Sequence, residues 1–169
     1  LDDELLKQLI NHAQKHNRKI YVPSGAIVGI DNIKSASLGK IYEVTLTTRK
    51  PAKSFEDTHA KLKLDKIKQP TLIYEGAARE AVKLFPTNIN VAATLSLAGI
   101  GPDKTKVKII ADPTIEDIIH EIHVKGEFGE IETKTISKPF PRNPRTSYIA
   151  ALSAIATLKK LTENLVVGT

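Results

Sequence analysis

The sequence predicts an α/β fold in which a mixed sheet carries its helices on one face. Three observations point there. First, two-residue alternation marks strands: Val44 and Leu46 against Thr45 and Thr47 over residues 41–49, and Ile118, His120, Ile122 and Val124 against Ile119, Glu121, His123 and Lys125 over residues 118–125. Second, apolar residues recur at helical spacing in residues 1–17 (Leu5, Leu6, Leu9, Ile10, Ala13) and near the C-terminus (Ile149, Leu152, Ile155, Ala156, Leu158). Third, the first 25 residues run helix, short strand (19–22) and a stop at Pro23-Ser24-Gly25, the order of the last step of a parallel α/β unit.

The remaining elements follow in order. Residues 31–36 are expected as a short helix that Asp31 caps or begins. The 41–49 strand ends at Pro51. Lys61, Lys63, Lys66 and Lys68, interleaved with Leu62, Leu64 and Ile67, suggest a half-buried strand or helix with a solvated lysine face. A strand at 71–74 precedes a helix at 76–84 that ends before Pro86. Asn88 opens an apolar helix over 89–98, closed by Gly99 and Gly101. Strands follow at 106–111, 118–125 and 131–137, the last two joined by a turn at 126–129. Asn143-Pro144 reads as N-cap and first residue of a final helix reaching Leu161. The strands at 41–49, 106–111, 118–125 and 131–137 are expected to share one antiparallel or mixed sheet.

Composition narrows the classes. The chain has 169 residues, 41% hydrophobic and 26% charged, enough for one domain or two small ones. No apolar run approaches the roughly 20 residues of a membrane span, and the opening Leu1-Asp2-Asp3-Glu4 is acidic where a signal peptide is basic. Without cysteine there are no disulfides, thiolate metal sites or cysteine nucleophiles, which is compatible with a reducing, cytoplasmic home. Without methionine, even at position 1, the sequence is expected to be a mature fragment, an excised domain or a trimmed chain. The net charge of +6 suits an acidic metabolite, a nucleic acid or plain solubility. Four Phe and four Tyr without a cluster give a nucleic-acid platform little to stack on.

Among five histidines, His12 and His16 are four apart on a helix, but no suitably spaced acid joins them as a metal site. His123 falls on the polar face of its strand. His120 interrupts an apolar face, so it is either a satisfied core residue or lines a closed pocket where burial tunes it for acid–base work. Small residues cluster at Ser24-Gly25-Ala26 and Gly76-Ala77-Ala78, as simple turns or as places where a ligand meets the backbone. Asn88 and Asn90 are two amides where capping needs one. No P-loop, zinc spacing, hydrolase triad signature or G-x-G-x-x-G is present.

Together these runs resemble the L-aspartate dehydrogenase family: Ser24-Gly25-Ala26-Ile27-Val28-Gly29-Ile30-Asp31, Thr48-Arg49-Lys50-Pro51, Glu75-Gly76-Ala77-Ala78-Arg79-Glu80-Ala81, Phe85-Pro86-Thr87-Asn88-Ile89-Asn90-Val91-Ala92-Ala93, Ala111-Asp112-Pro113, His120-Glu121-Ile122, Gly126-Glu127-Phe128-Gly129 and Asn143-Pro144-Arg145-Thr146-Ser147. The resemblance implies a Rossmann remnant over 1–25, a catalytic and dimerisation domain over 26–141, and a C-terminal helix over 142–169 returning to the Rossmann domain. It implies that His120 is catalytic, that Ala26 and Asn90 contact the nicotinamide of NAD or NADP, and that no metal takes part. The family usually has Asn two residues before this histidine, where Ile118 stands here.

The implied reaction is oxidation of L-aspartate to iminoaspartate, then to oxaloacetate and ammonia, with iminoaspartate also feeding NAD synthesis. Arg49, Lys50 and Arg79 are candidates to clamp the carboxylates of this dianion. A cytoplasmic homodimer acting on L-aspartate, with no nucleic-acid or membrane partner, completes the expectation. Ala26, Asn90 and His120 should meet in one cleft with His120 partly accessible. The alternative is a basic nucleic-acid-binding module, resting on charge alone.

Overall fold

Asp2 starts the first helix by accepting the Leu5 backbone N–H on its carboxylate at 3.0 Å. The helix, α1 (Asp3–Lys15), keeps acids in its first turn and Lys15 in its last, complementing the dipole, yet buries none of its side chains. These coordinates come from a computed structural model, which describes residues 2–56, 58–60, 62–86 and 89–168. Residues 19–22, expected as a strand, form none. Their backbone groups find no sheet neighbour among the described residues, and alternation without a partner cannot make a ladder. Gly29 then takes a left-handed φ of 79° as N-cap of α2 (Ile30–Ala36), so Asp31 sits in the first turn and is not the cap.

Five strands form the sheet: β1 (Ile41–Pro51), β2 (Thr71–Ala77), β3 (Thr105–Asp112), β4 (Ile118–Gly126) and β5 (Gly129–Ser137), in the order β2-β3-β1-β4-β5. β1 runs parallel to β3, and the other pairs are antiparallel. The mixed sheet read from the alternating segments is therefore present, with β2 added at one edge. The lysine-rich 62–68 stretch joins no strand. It holds a single 3-10 turn at Leu64–Lys66, and Lys61 lies outside the described residues.

Helices α3 (Ala78–Leu84) and α4 (Asn90–Ala98) link β2 to β3. Gly76 and Ala77, expected in the helix, complete β2 because they pair with Val107 and Lys106. Ile89 is the N-cap residue of α4 and makes no side-chain capping bond. The expected cap, Asn88, lies outside the described residues. The core forms where Val44, Leu46, Val107, Ile109, Ile122 and Val124 of one sheet face meet Ile33, Ala81, Ala92 and Leu95 of the helices. Burying each large aliphatic side chain contributes about 1.5–3 kcal/mol. Phe85 closes the β2 side with edge-on contacts from Tyr74 and Phe55 at centroid distances of 5.7 and 6.2 Å.

The opposite sheet face is polar and open. Cross-strand ion pairs line it: Lys106–Glu43, Lys108–Glu75, Lys125–Glu130 and Lys134–Glu121. Such exposed pairs add little stability. After β5 the chain makes a small hairpin of β6 (Pro139–Phe140) and β7 (Asn143–Ser147) before α5 (Tyr148–Lys160). Asn143-Pro144 therefore begins a strand, not a helix. Phe140 pairs with Asn143 and Pro139 with Ser147, and this pairing outweighs the local capping signal. No side chain of α5 is buried.

Candidate functional site

β1 and β4 lie in a register that pairs Val44 with Val124, Leu46 with Ile122 and Thr48 with His120. Because side chains alternate, Thr48 and His120 fall on the helix-covered face at the end of an otherwise aliphatic row. Thr48 Oγ1 lies 3.0 Å from His120 Nδ1. The residue is only 3% exposed, so the expected partial accessibility is corrected: His120 sits on the buried face of β4. Nδ1 is engaged by Thr48, and among the described residues no group hydrogen-bonds Nε2. Burial, and then the nearby Lys50 charge, push the His120 imidazole down to about 3. It is therefore a neutral ring at ordinary pH. Thr48 was missed in the sequence. Its alternation with Leu46 and Lys50 is the signal that places it on the His120 face.

Lys50 continues the same row of β1 and is 5% exposed. Burial brings its ammonium down to about 8. Arg49, one residue earlier, points to the opposite face and pairs with Asp112, a buried carboxylate that also accepts the Thr114 N–H and hydroxyl. Arg79 is held by Asp103 at 2.6 Å and by Asp3 at 2.8 Å. Of the three basic candidates, only Lys50 shares a face with His120.

Ala26 and Asn90 come from distant segments. Gly25, at φ 68°, makes the tight turn after residue 24 and donates its N–H to Ser153 of α5 at 3.1 Å. A Cβ built on Gly25 would lie 3.8 Å from Val91, so this turn rests against the first turn of α4. Ala26 is buried there, and Asn90, the first residue of α4, is exposed. A backbone turn without bulk beside an exposed amide, which both donates and accepts, is a donor set that fits a nicotinamide carboxamide. The Ala26 turn and the start of α4 thus rest against each other, while His120 is bonded to Thr48 and feels the Lys50 charge.

The remaining histidines do other things. His12 and His16 stack on exposed α1, and His59 Nδ1 lies 3.1 Å from the Lys83 carbonyl oxygen. His123 projects from the open sheet face, where its Nε2 is 3.2 Å from Glu130. With Glu132 these groups come within 4.8 Å of one another, a spacing a cation could use, but Lys125 already holds Glu130. Among the described residues, no helix is long and apolar enough to cross a membrane.

Residues 31–161 match the family model for the C-terminal part of aspartate dehydrogenase. Over 99% of its length the chain is 56% identical to the L-aspartate dehydrogenase of Methanococcoides burtonii and 53% identical to that of Methanosarcina barkeri, spanning 64% of each. The crystal structure of aspartate dehydrogenase from Thermotoga maritima superimposes with a TM-score of 0.77 at 30% identity, over 99% of this chain and 63% of that one.

Proposed function

The chain belongs to the aspartate dehydrogenase C-terminal family, and on that premise we propose that its protein oxidises L-aspartate with NAD or NADP, releasing oxaloacetate and ammonia by way of iminoaspartate. Iminoaspartate that escapes hydrolysis is available for pyridine-nucleotide synthesis. The observation that carries this reading is His120, a neutral imidazole on the covered sheet face, held at Nδ1 by Thr48 with Lys50 beside it.

When bound, the nicotinamide supplies the hydride acceptor. The chain's residues do the rest. Asn90 would hold the carboxamide by its amide, and the Ala26 turn would let the ring approach the backbone. Thr48 fixes the imidazole plane so that Nε2 serves the reacting centre. There His120 takes the proton from the substrate amine or from the water that attacks the imine carbon. The net charge of +6 favours approach of a dianion.

The chain spans 64% of the length of these relatives, and its organisation is proposed accordingly: 1–25 as the end of a dinucleotide-binding domain, 26–141 as the catalytic domain and 142–169 as the helix returning to the first. Apolar residues left open on both outer helices support this, among them Leu5, Leu9, Leu152 and Ile155, the last 62% exposed. The open sheet face, with Ile136 exposed among the ion pairs, supports a homodimer, which sedimentation would test. A cytoplasmic setting agrees with the absence of cysteine.

The test is turnover of L-aspartate by the full-length protein with each cofactor. His120→Ala should lower kcat by about 100-fold or more while leaving the cofactor KM within a few-fold, because proton transfer belongs to the transition state. Absence of aspartate oxidation by the parent protein would overturn the function. Normal turnover in the variant would remove His120 from it.

A further inference from the structure

We propose that His123, Glu130 and Glu132 form a site for a divalent transition-metal ion of the zinc class on the open face of the sheet, tying the edge strand β5 to β4. The site is independent of the aspartate reading and lies across the sheet from His120.

Strand register brings the three residues together. His123 of β4 is the direct cross-strand partner of Glu132, and Glu130 stands two residues earlier on β5. Alternation therefore puts both carboxylates on the face of the imidazole. His123 Nε2 lies 3.2 Å from Glu130 Oε2 and 3.7 Å from Glu132 Oε1, and one ligand atom from each residue falls within 4.8 Å of the other two. Ligands held about 2.0–2.2 Å from one zinc ion stand roughly 3–4 Å apart, so small side-chain rotations close the set. The histidine is partly exposed and both glutamates are exposed, so an ion arrives from solvent without opening the fold.

The donors choose the ion. An imidazole nitrogen with two carboxylate oxygens suits zinc, cobalt or nickel, whereas magnesium and calcium take oxygen ligands. Without a cation the arrangement is poorly balanced. A neutral imidazole carries at most one hydrogen on Nε2, yet this nitrogen faces two carboxylates. Glu43 of β1, itself paired with Lys106, adds a further negative group that feels the His123 charge. Lys125 opposes them at 3.1 Å from Glu130, but it takes Oε1 and leaves Oε2 turned to His123. His123 and Lys125 together hold the Glu130 carboxyl below the ordinary carboxylate range, so it is an anion ready to ligate. β5 lies at the edge of the sheet order, and an ion shared with β4 fastens it in the folded state.

The test is calorimetric titration of zinc chloride into the chelator-treated full-length protein. The exposed His12 and His16 pair on α1 is the competing place for an ion. The titrations therefore compare the parent with His123→Gln, Glu132→Gln, Lys125→Met and His12→Gln. Zinc affinity should fall by at least about 100-fold in His123→Gln and about tenfold in Glu132→Gln. It should rise a few-fold in Lys125→Met, where the opposing charge is gone, and stay unchanged in His12→Gln. Magnesium chloride should not compete. Zinc should also raise the Tm of the parent, and that rise should vanish in His123→Gln. A parent protein with no affinity for zinc overturns the proposal. So does affinity that ignores His123→Gln, or that is lost in His12→Gln in its place.

Discussion

Thr48 of β1 and His120 of β4 face each other across an antiparallel strand pair, with Thr48 Oγ1 3.0 Å from His120 Nδ1. Seventy-two residues of chain separate them, and neither has another side-chain hydrogen bond among the described residues. The bond fixes the ring plane and determines which nitrogen is left for chemistry.

Removing that hydroxyl should show its role. Thr48→Val keeps the shape and deletes the bond, leaving Nδ1 buried without a partner at a cost of about 1–3 kcal/mol. In the full-length protein kcat on aspartate should fall about 10- to 100-fold with the cofactor KM unchanged, as expected for a lost positioning bond. Thr48→Ser should recover most of the rate. Parental turnover in Thr48→Val together with a loss in Thr48→Ser would show that the site needs the methyl group and not the hydroxyl.

The buried imidazole makes stability depend on pH. In the unfolded chain a histidine takes its proton near 6.5, whereas in the fold His120 does so only at about 3. The unfolded state therefore binds the extra proton first. Stability from this group is full above about pH 6.5 and is lost as pH falls from there toward 3, by up to about 1.4 kcal/mol per unit. Urea titrations between pH 7 and 5 should show that slope, and His120→Gln should flatten it.

Asp112 adds a second, more acid loss. Burial pushes its carboxyl up, but the two Thr114 bonds and the Arg49 guanidinium outweigh that and hold it below the ordinary carboxylate range. Its contribution is present above the unfolded pKa of about 3.9 and disappears as pH falls through the lower folded value. Arg49→Met should destabilise the protein by about 1–3 kcal/mol at pH 7, since Thr114 still holds the carboxylate. Turnover of aspartate by the full-length protein should stay near the parent level, because Arg49 faces away from His120.

Core packing gives the cleanest stability test. Leu95 of α4 is fully buried between the sheet and the neighbouring helices. Leu95→Ala should cost about 2–5 kcal/mol in chemical denaturation, the transfer loss plus the cavity left behind. Leu152→Ala on the open face of α5 should cost well under ~1 kcal/mol within this chain.

Much of the fold was legible because it rests on local period. Residues 41–49 and 118–125 alternate on a two-residue period that both sheet faces require, so their strands and the inward position of His120 could be read directly. α1 and α4 likewise follow from spacing and polarity. The family resemblance added which residues to watch. Tertiary structure decided the rest, since partners come from far along the chain. Residues 19–22 had strand composition but no neighbour to complete a ladder among the described residues, while Asn143-Pro144 had a helix-cap pattern but Asn143 found Phe140 to pair with. The same holds at the site. Three adjacent residues, Thr48, Arg49 and Lys50, could not be ranked from sequence. Only the β1–β4 register turned Thr48 and Lys50 toward His120, and Arg49 away to Asp112.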